Sequence, residues 1–154
     1  MPNRSAFLRG RAAGDTALDG EQTVGAQEAA IRKLVEEWAS AVRRRDLAAV
    51  LRYHAADILM FDVPPPFQSR GIEAYAATWD LFFSWADDPT VFDIEEMNVT
   101  AGSDVAFVTA AMRCAGREAG GQRVELEFRL TMGLCKVDSQ WVVVHEHHSV
   151  PATD

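Results

Sequence analysis

Apolar positions along this chain first follow a helical period and later an alternating one. From Ala26 to Arg45 they fall at Ile31, Leu34, Val35, Trp38, Ala41 and Val42, the i, i+3, i+4, i+7 spacing of a helix with one buried stripe. Arg43, Arg44 and Arg45 close that helix, where cations suit the negative end of its dipole. Asp46 reads as the N-cap of a second, short helix with Leu47, Val50, Leu51 and His54 on its inner face. Asp57 to Val63 reads as a short strand, stopped by Pro64-Pro65-Pro66, which cannot continue a ladder. A third helix spans Gly71 to Ala86, with Ile72, Tyr75, Ala76, Trp79, Phe82 and Phe83 in register, and ends at Asp87-Asp88-Pro89.

Past Pro89 the period changes to two. Val91–Ala101 alternates with a bulge at Glu95-Glu96, and Val105–Arg113 follows the Gly102-Ser103-Asp104 turn. After Gly120-Gly121, Arg123–Lys136 alternates cleanly. Val124, Leu126, Phe128, Leu130, Met132 and Leu134 take one face, and Arg123, Glu125, Glu127, Arg129 and Thr131 the other. Val137-Asp138-Ser139 turns into a last strand from Trp141 to Pro151. Helices first and then an antiparallel meander make an α+β layout, expected as a single domain over 23–154 behind a disordered leader over 1–22.

Composition narrows the function classes. The chain has 154 residues, 48% hydrophobic and 25% charged, with a net charge of −8, which disfavours nucleic acid and anionic membrane surfaces. No apolar run approaches the roughly 18–20 residues needed to span a bilayer. The first residues carry arginines but no apolar core of a secretory signal. Cys114 and Cys135 fall on neighbouring strands well apart along their length. They are expected as reduced thiols of a cytoplasmic protein rather than a disulfide, which needs Cα atoms within about 7 Å.

The last strand, Trp141-Val-Val-Val-His-Glu-His-His-Ser-Val-Pro151, holds the candidate chemistry. His145, Glu146, His147 and His148 follow a β-branched run, so two of the four face each side of a sheet. A two-residue turn at Asp138-Ser139 sets Arg129 opposite His148 and Glu146 beside Thr131. A three-residue turn over Val137–Ser139 shifts the register by one and groups Phe128, Leu130 and Met132 with Val142, Val144, Glu146 and His148. The second joins two apolar faces and is the favoured reading. It puts Arg129, Thr131, Trp141, His145 and His147 on the outer face. His145 and His147 have the spacing of two metal ligands on one strand, but no third His or Cys is well placed, so no metal is expected. No nucleotide fingerprint or phosphate loop occurs either, and no cofactor is expected.

The order of elements and these motifs resemble the nuclear transport factor 2-like superfamily. The closest group is its bacterial SnoaL-like and ketosteroid-isomerase-like proteins. The resemblance is carried by Arg45-Asp46-Leu47, Ala56-Asp57 with Phe61-Asp62, Arg70-Gly71 with Ala74, Arg129-Leu130-Thr131 and the closing strand, over about Ala26–Pro151. It implies a cone of three N-terminal helices packed on a strongly curved, mostly antiparallel sheet, dimerising through the outer sheet face. In ketosteroid isomerases an aspartate at the end of the first strand is the general base, and the run Ala55–Asp62 is similar and places Asp62 there. The isomerases' oxyanion-hole tyrosine and protonated aspartic acid match Trp38 and Phe128, which lack the O–H donors. The resemblance therefore does not carry steroid isomerisation in that form.

These readings together point to a hydrophobic small-molecule pocket. Asp62 would move a proton, His148 would act as acid or oxyanion partner, and Glu146 would orient His148. Trp38, Tyr75, Trp79, Phe128 and Met132 would touch ligand. Each candidate has a plainer alternative. Asp62 can cap the turn before Pro64, Glu146 and His148 can be a structural pair, and the aromatics can be core alone. The expected function is cofactor-independent proton transfer on a hydrophobic carbonyl or cyclic compound. Its rival is a non-catalytic ligand-binding or oligomerisation module of the same fold.

Overall fold

The computed structural model describes residues 16–153, and side chains from residue 24 onward. Helices α1 (Thr16–Arg43), α2 (Leu47–Leu51) and α3 (Ile72–Trp85) accompany six strands. These are β1 (His54–Phe61), β2 (Ser69–Arg70), β3 (Phe92–Ala101), β4 (Val105–Arg117), β5 (Arg123–Val137) and β6 (Gln140–Ser149). The strands form one curved sheet in the order β2-β1-β6-β5-β4-β3, antiparallel except where β1 runs parallel to β6.

The helices cover the inner face of the sheet. Ile31, Leu34, Val35, Trp38, Ala41 and Val42 of α1 are all buried, as their spacing predicts. The helix begins at Thr16 rather than Ala26 and so takes in the last residues of the expected leader, whose first fifteen lie outside the described residues. Asp46 caps α2, its carboxylate accepting the Ala49 N–H at 3.1 Å. Arg45, two residues past the end of α1, works on a different helix. Its guanidinium donates to the Phe83, Ala86 and Asp87 carbonyls and to Thr90 Oγ1, capping the exposed carbonyl end of α3.

Three local expectations are corrected. His54 is not on α2, because the helix stops at Leu51, Arg52 takes extended backbone and Tyr53 a left-handed φ of 61°, so His54 opens β1. The strand expected from Asp57 therefore starts three residues earlier. The last hairpin turns on two residues, not three: Val137 pairs with Gln140, and Asp138 and Ser139 both have positive φ, the signature of a type I′ turn. The expected bulge near Glu95 is present as a register shift between Ile94 and Glu96.

The two-residue turn does not expel Glu146 and His148 from the core. Leu134 pairs with Val143 and Gly133 with His145, which leaves Val144 without an opposite residue. This bulge inverts the alternation halfway along β6. Before it Trp141 and Val143 are buried; after it Glu146 and His148 are. Trp141, expected on the outer face, is therefore 3% exposed, and its indole N–H donates to Gln27 at 2.7 Å.

Candidate functional site

A cavity of about 420 Å³ opens between α3, the inner sheet face and the Asp62–Pro64 segment. Its walls are mainly apolar, with Met60, Trp79, Phe82, Trp85, Phe92, Leu126 and Phe128 prominent. Among its polar lining residues, Thr78 gives its hydroxyl to the Tyr75 carbonyl and Ser84 gives its own to the Leu81 carbonyl. Asp62, His148 and Glu118 are the ionisable oxygen and nitrogen groups left to meet a ligand.

Asp62 and His148 are brought together by the parallel pairing of β1 with β6. Phe61 lies opposite His147, so the next residue of each strand meets its counterpart, and Asp62 Oδ1 stands 3.6 Å from His148 Nδ1. Asp62 Oδ1 also accepts the Val63 N–H at 2.8 Å. The His148 ring is boxed by Trp38, Trp79 and Phe128, with ring centroids 6.4, 6.2 and 5.2 Å away. Its Nε2 lies 3.2 Å from Glu146 Oε2.

Glu146 is fully buried and serves as the hub of an array that extends away from the cavity. Its Oε1 accepts the Tyr75 hydroxyl at 2.7 Å and lies 2.8 Å from His54 Nε2. Trp38 Nε1 donates to the Tyr75 oxygen at 3.2 Å, and His54 Nδ1 lies 2.8 Å from the Arg52 carbonyl. A carboxylate out of water costs free energy unless it is paired and hydrogen-bonded, and here both conditions hold. Burial pushes the Glu146 carboxyl up, but the hydrogen bonds and charges of His148 and His54 outweigh it and hold the group at about 2. Burial, then the Glu146 charge and hydrogen bond, push the Tyr75 phenol well above its usual range, so it stays a donor. Cys114, on the cavity wall, is pushed up to about 12 by burial and by the nearby Asp62, and its thiol stays protonated.

Of the side chains expected to touch ligand, Trp79 and Phe128 line the cavity, whereas Trp38, Tyr75 and Met132 do not. Trp38 and Tyr75 direct their polar atoms into the Glu146 array, because a buried N–H or O–H needs a partner. Met132 pairs with Glu146 across the β5–β6 ladder and is fully buried. Sequence reasoning missed His54, whose continuation of the Leu47–Leu51 spacing hid its place on a strand, and Glu118 at the cavity wall. On the outer face His145 donates Nδ1–H to the Leu59 carbonyl at 2.7 Å. Among the described residues no group of three or more His, Cys, Asp or Glu side chains is arranged to hold a metal ion.

Comparison with known proteins agrees with this architecture. The family described as SnoaL-like domain matches residues 31–153, and the chain belongs to it. It is 35% identical to an NTF2-like protein of unknown function from Pseudomonas putida, with 82% of this chain and 88% of that chain covered and a TM-score of 0.73. A ketosteroid isomerase-like protein from Erwinia carotovora is 21% identical, with 80% and 95% covered and a TM-score of 0.68. An NTF2-like protein with a cystatin-like fold from Novosphingobium aromaticivorans is 15% identical, with 91% and 92% covered and a TM-score of 0.75. The last two likenesses are of fold. None of the curated proteins matches this chain.

Proposed function

We propose that the protein is a small-molecule enzyme of proton-transfer type, an isomerase, cyclase or dehydratase, acting on a hydrophobic carbonyl or cyclic compound without need of a cofactor. The observation that carries this reading is the Asp62–His148 pair at 3.6 Å on the wall of an apolar cavity, with Glu146 fixing His148 from behind. Asp62 takes a proton from a carbon or hydroxyl of the substrate. His148, carrying Nδ1–H, returns one or hydrogen-bonds the oxygen where charge develops.

Several observations favour assembly as a dimer through the outer sheet face. Val105 and Phe107 of β4 are 61% and 50% exposed there. Across the same face Thr109, Thr131 and His147 stand in one row, with Phe61 edge-on to His147. The free thiols Cys114 and Cys135 suit a reducing compartment such as the cytoplasm, and among the described residues no helix is long and apolar enough to cross a membrane.

The test begins with a ligand found by tryptophan-fluorescence or native mass-spectrometric screening of apolar carbonyl compounds. Asp62→Asn and His148→Ala are then expected to keep the fold and to lose turnover by about 10²–10⁴-fold, the usual contribution of a positioned acid or base. Loss of folding in both variants would mean that the pair is structural and that the enzyme reading fails.

A further inference from the structure

The buried half of the Glu146 array contains a histidine whose protonation is dictated by its neighbours. His54 Nδ1 lies 2.8 Å from the Arg52 carbonyl oxygen, a group that can only accept. His54 Nε2 lies 2.8 Å from Glu146 Oε1 and 3.0 Å from the Tyr75 oxygen. The single Tyr75 proton goes to Glu146 at 2.7 Å, and the phenolic oxygen is itself an acceptor for the Trp38 N–H. A neutral imidazole carries one N–H and one lone pair. Whichever nitrogen kept the lone pair would face oxygen lone pairs with no hydrogen between. Because Glu146 is ionised, each nitrogen of His54 needs its own proton.

We infer that His54 is a resident imidazolium, held by the Arg52 carbonyl and the Glu146 carboxylate, and that it is a positioning residue governing the charge of His148. The side chains of His54 and Glu146 are both 0% exposed, so solvent does little to screen the pair. Glu146 gives one oxygen to each histidine, Oε1 to His54 and Oε2 to His148. With His54 charged, the carboxylate is already neutralised, and its hold on a second cation is weakened. The Nδ1 proton of His148 is then free to come and go beside Asp62. Without the His54 charge, Glu146 would keep His148 as its cation.

The other groups around the array leave this assignment intact. From α3 the array meets the Tyr75 phenol, from just past β1 Asp62, from β6 Glu146 and His148, and from β4 the Cys114 thiol near Asp62. Helices α1 and α3 add the Trp38 and Trp79 indoles and β5 adds Phe128, none of which titrates. The charge on His54 rests on this geometry together with the ionised Glu146, whereas its use in catalysis rests on the proton-transfer reading of Asp62 and His148.

Nitrogen-15 NMR of the histidine rings in the ligand-free full chain tests the inference. The chain has 4 histidines, so H145Q, H147Q and H148Q each remove one signal and leave His54 assigned. The expected wild-type result is two protonated nitrogens on His54 in the folded chain at neutral pH. H54Q keeps an N–H donor but no charge, and is expected to move the His148 transition upward by about one pH unit or more. H54K restores a cation and is expected to move it back. An unprotonated nitrogen on His54 in the folded wild type, or an unmoved His148 transition in H54Q, overturns the inference. If H54Q does not fold, the wild-type spectrum decides. Turnover is not needed for any of these readouts, so a charged His54 beside an inactive Asp62 would sink the enzyme reading and leave this one standing.

Discussion

Asp62 Oδ1 and His148 Nδ1 stand 3.6 Å apart because β1 and β6 run parallel in a register that sets Phe61 opposite His147. The carboxylate and the imidazole thus meet at the rim of an apolar cavity, half of the pair backed by Glu146 and the other half open to ligand.

The sign of charge at that rim selects ligands. Asp62 and Glu118 line the cavity, and among the described residues no lysine or arginine does. In a matched aromatic series, a carboxylate is expected to bind about tenfold or more weakly than the corresponding alcohol at low salt, the gap narrowing as salt is added. Fluorescence titration measures this, and Glu118→Gln should shrink the gap. Equal affinities would show that the rim field does not discriminate.

Glu146→Gln removes the charge that His54 and His148 share. Breaking a buried ionic array costs roughly 3–5 kcal/mol, so urea unfolding should show a loss of that order. Glu125→Gln, at an exposed ion pair with Arg123, is the control and should change stability by less than about 1 kcal/mol.

Acid should unfold the protein through the same carboxylate. Glu146 sits at about 2 in the folded chain against 4.5 when unperturbed: burial raises it, and the hydrogen bonds and charges of His148 and His54 lower it further. A depressed folded value means that the unfolded chain binds more protons between the two. The contribution is therefore complete above about 4.5 and lost as pH falls toward about 2. Thermal unfolding followed down that range should slope steeply in the wild type and less in Glu146→Gln.

Deleting Val144 tests the bulge. Without the unpaired residue, strict alternation would force either Trp141 and Val143 or Glu146 and His148 out of the core. The deletion is expected to abolish cooperative unfolding by circular dichroism, whereas deleting Ala152, which is exposed beyond β6, should be nearly neutral. A deletion variant with native stability would show that β6 tolerates either register.

Gly116 holds the far wall of the cavity. Trp85 lies against its backbone so closely that a methyl group there would clash with the face of the indole ring, far inside van der Waals contact. Gly116→Ala should cost about 1–3 kcal/mol through overpacking and displace Trp85 from the cavity wall, visible as a changed fluorescence maximum.

Much of the fold was legible because its signals are local. The stripe from Ile31 to Val42 marked α1, the N-cap Asp46 marked α2, and the alternation from Val124 to Leu134 marked β5. The pairing of Glu146 with His148 on the inner face was also expected, but for the wrong local reason. The sequence favours a three-residue turn, and the chain instead uses a two-residue turn followed by a bulge, two shifts that lead to the same face. The difference shows at Trp141, which is on the inner face rather than the outer one. His54 could not be found this way, because nothing in Arg52 or Tyr53 announces the extended and then left-handed backbone that follows α2, as a glycine would.

The sequence by itself determined the periods, the punctuation and the closing His-Glu-His-His run, since helix and strand patterns depend on residues a few positions apart. The tertiary structure alone decided which groups share protons. His54 and Glu146 are 92 positions apart, and Tyr75 and Glu146 are 71. Those meetings depend on the parallel β1–β6 pairing, the unpaired Val144 and the seat of α3 on the sheet, each settled by what must be buried together. Burial also decided that Trp38 and Tyr75 serve the buried carboxylate rather than the cavity, because polar atoms sealed from water must find partners inside.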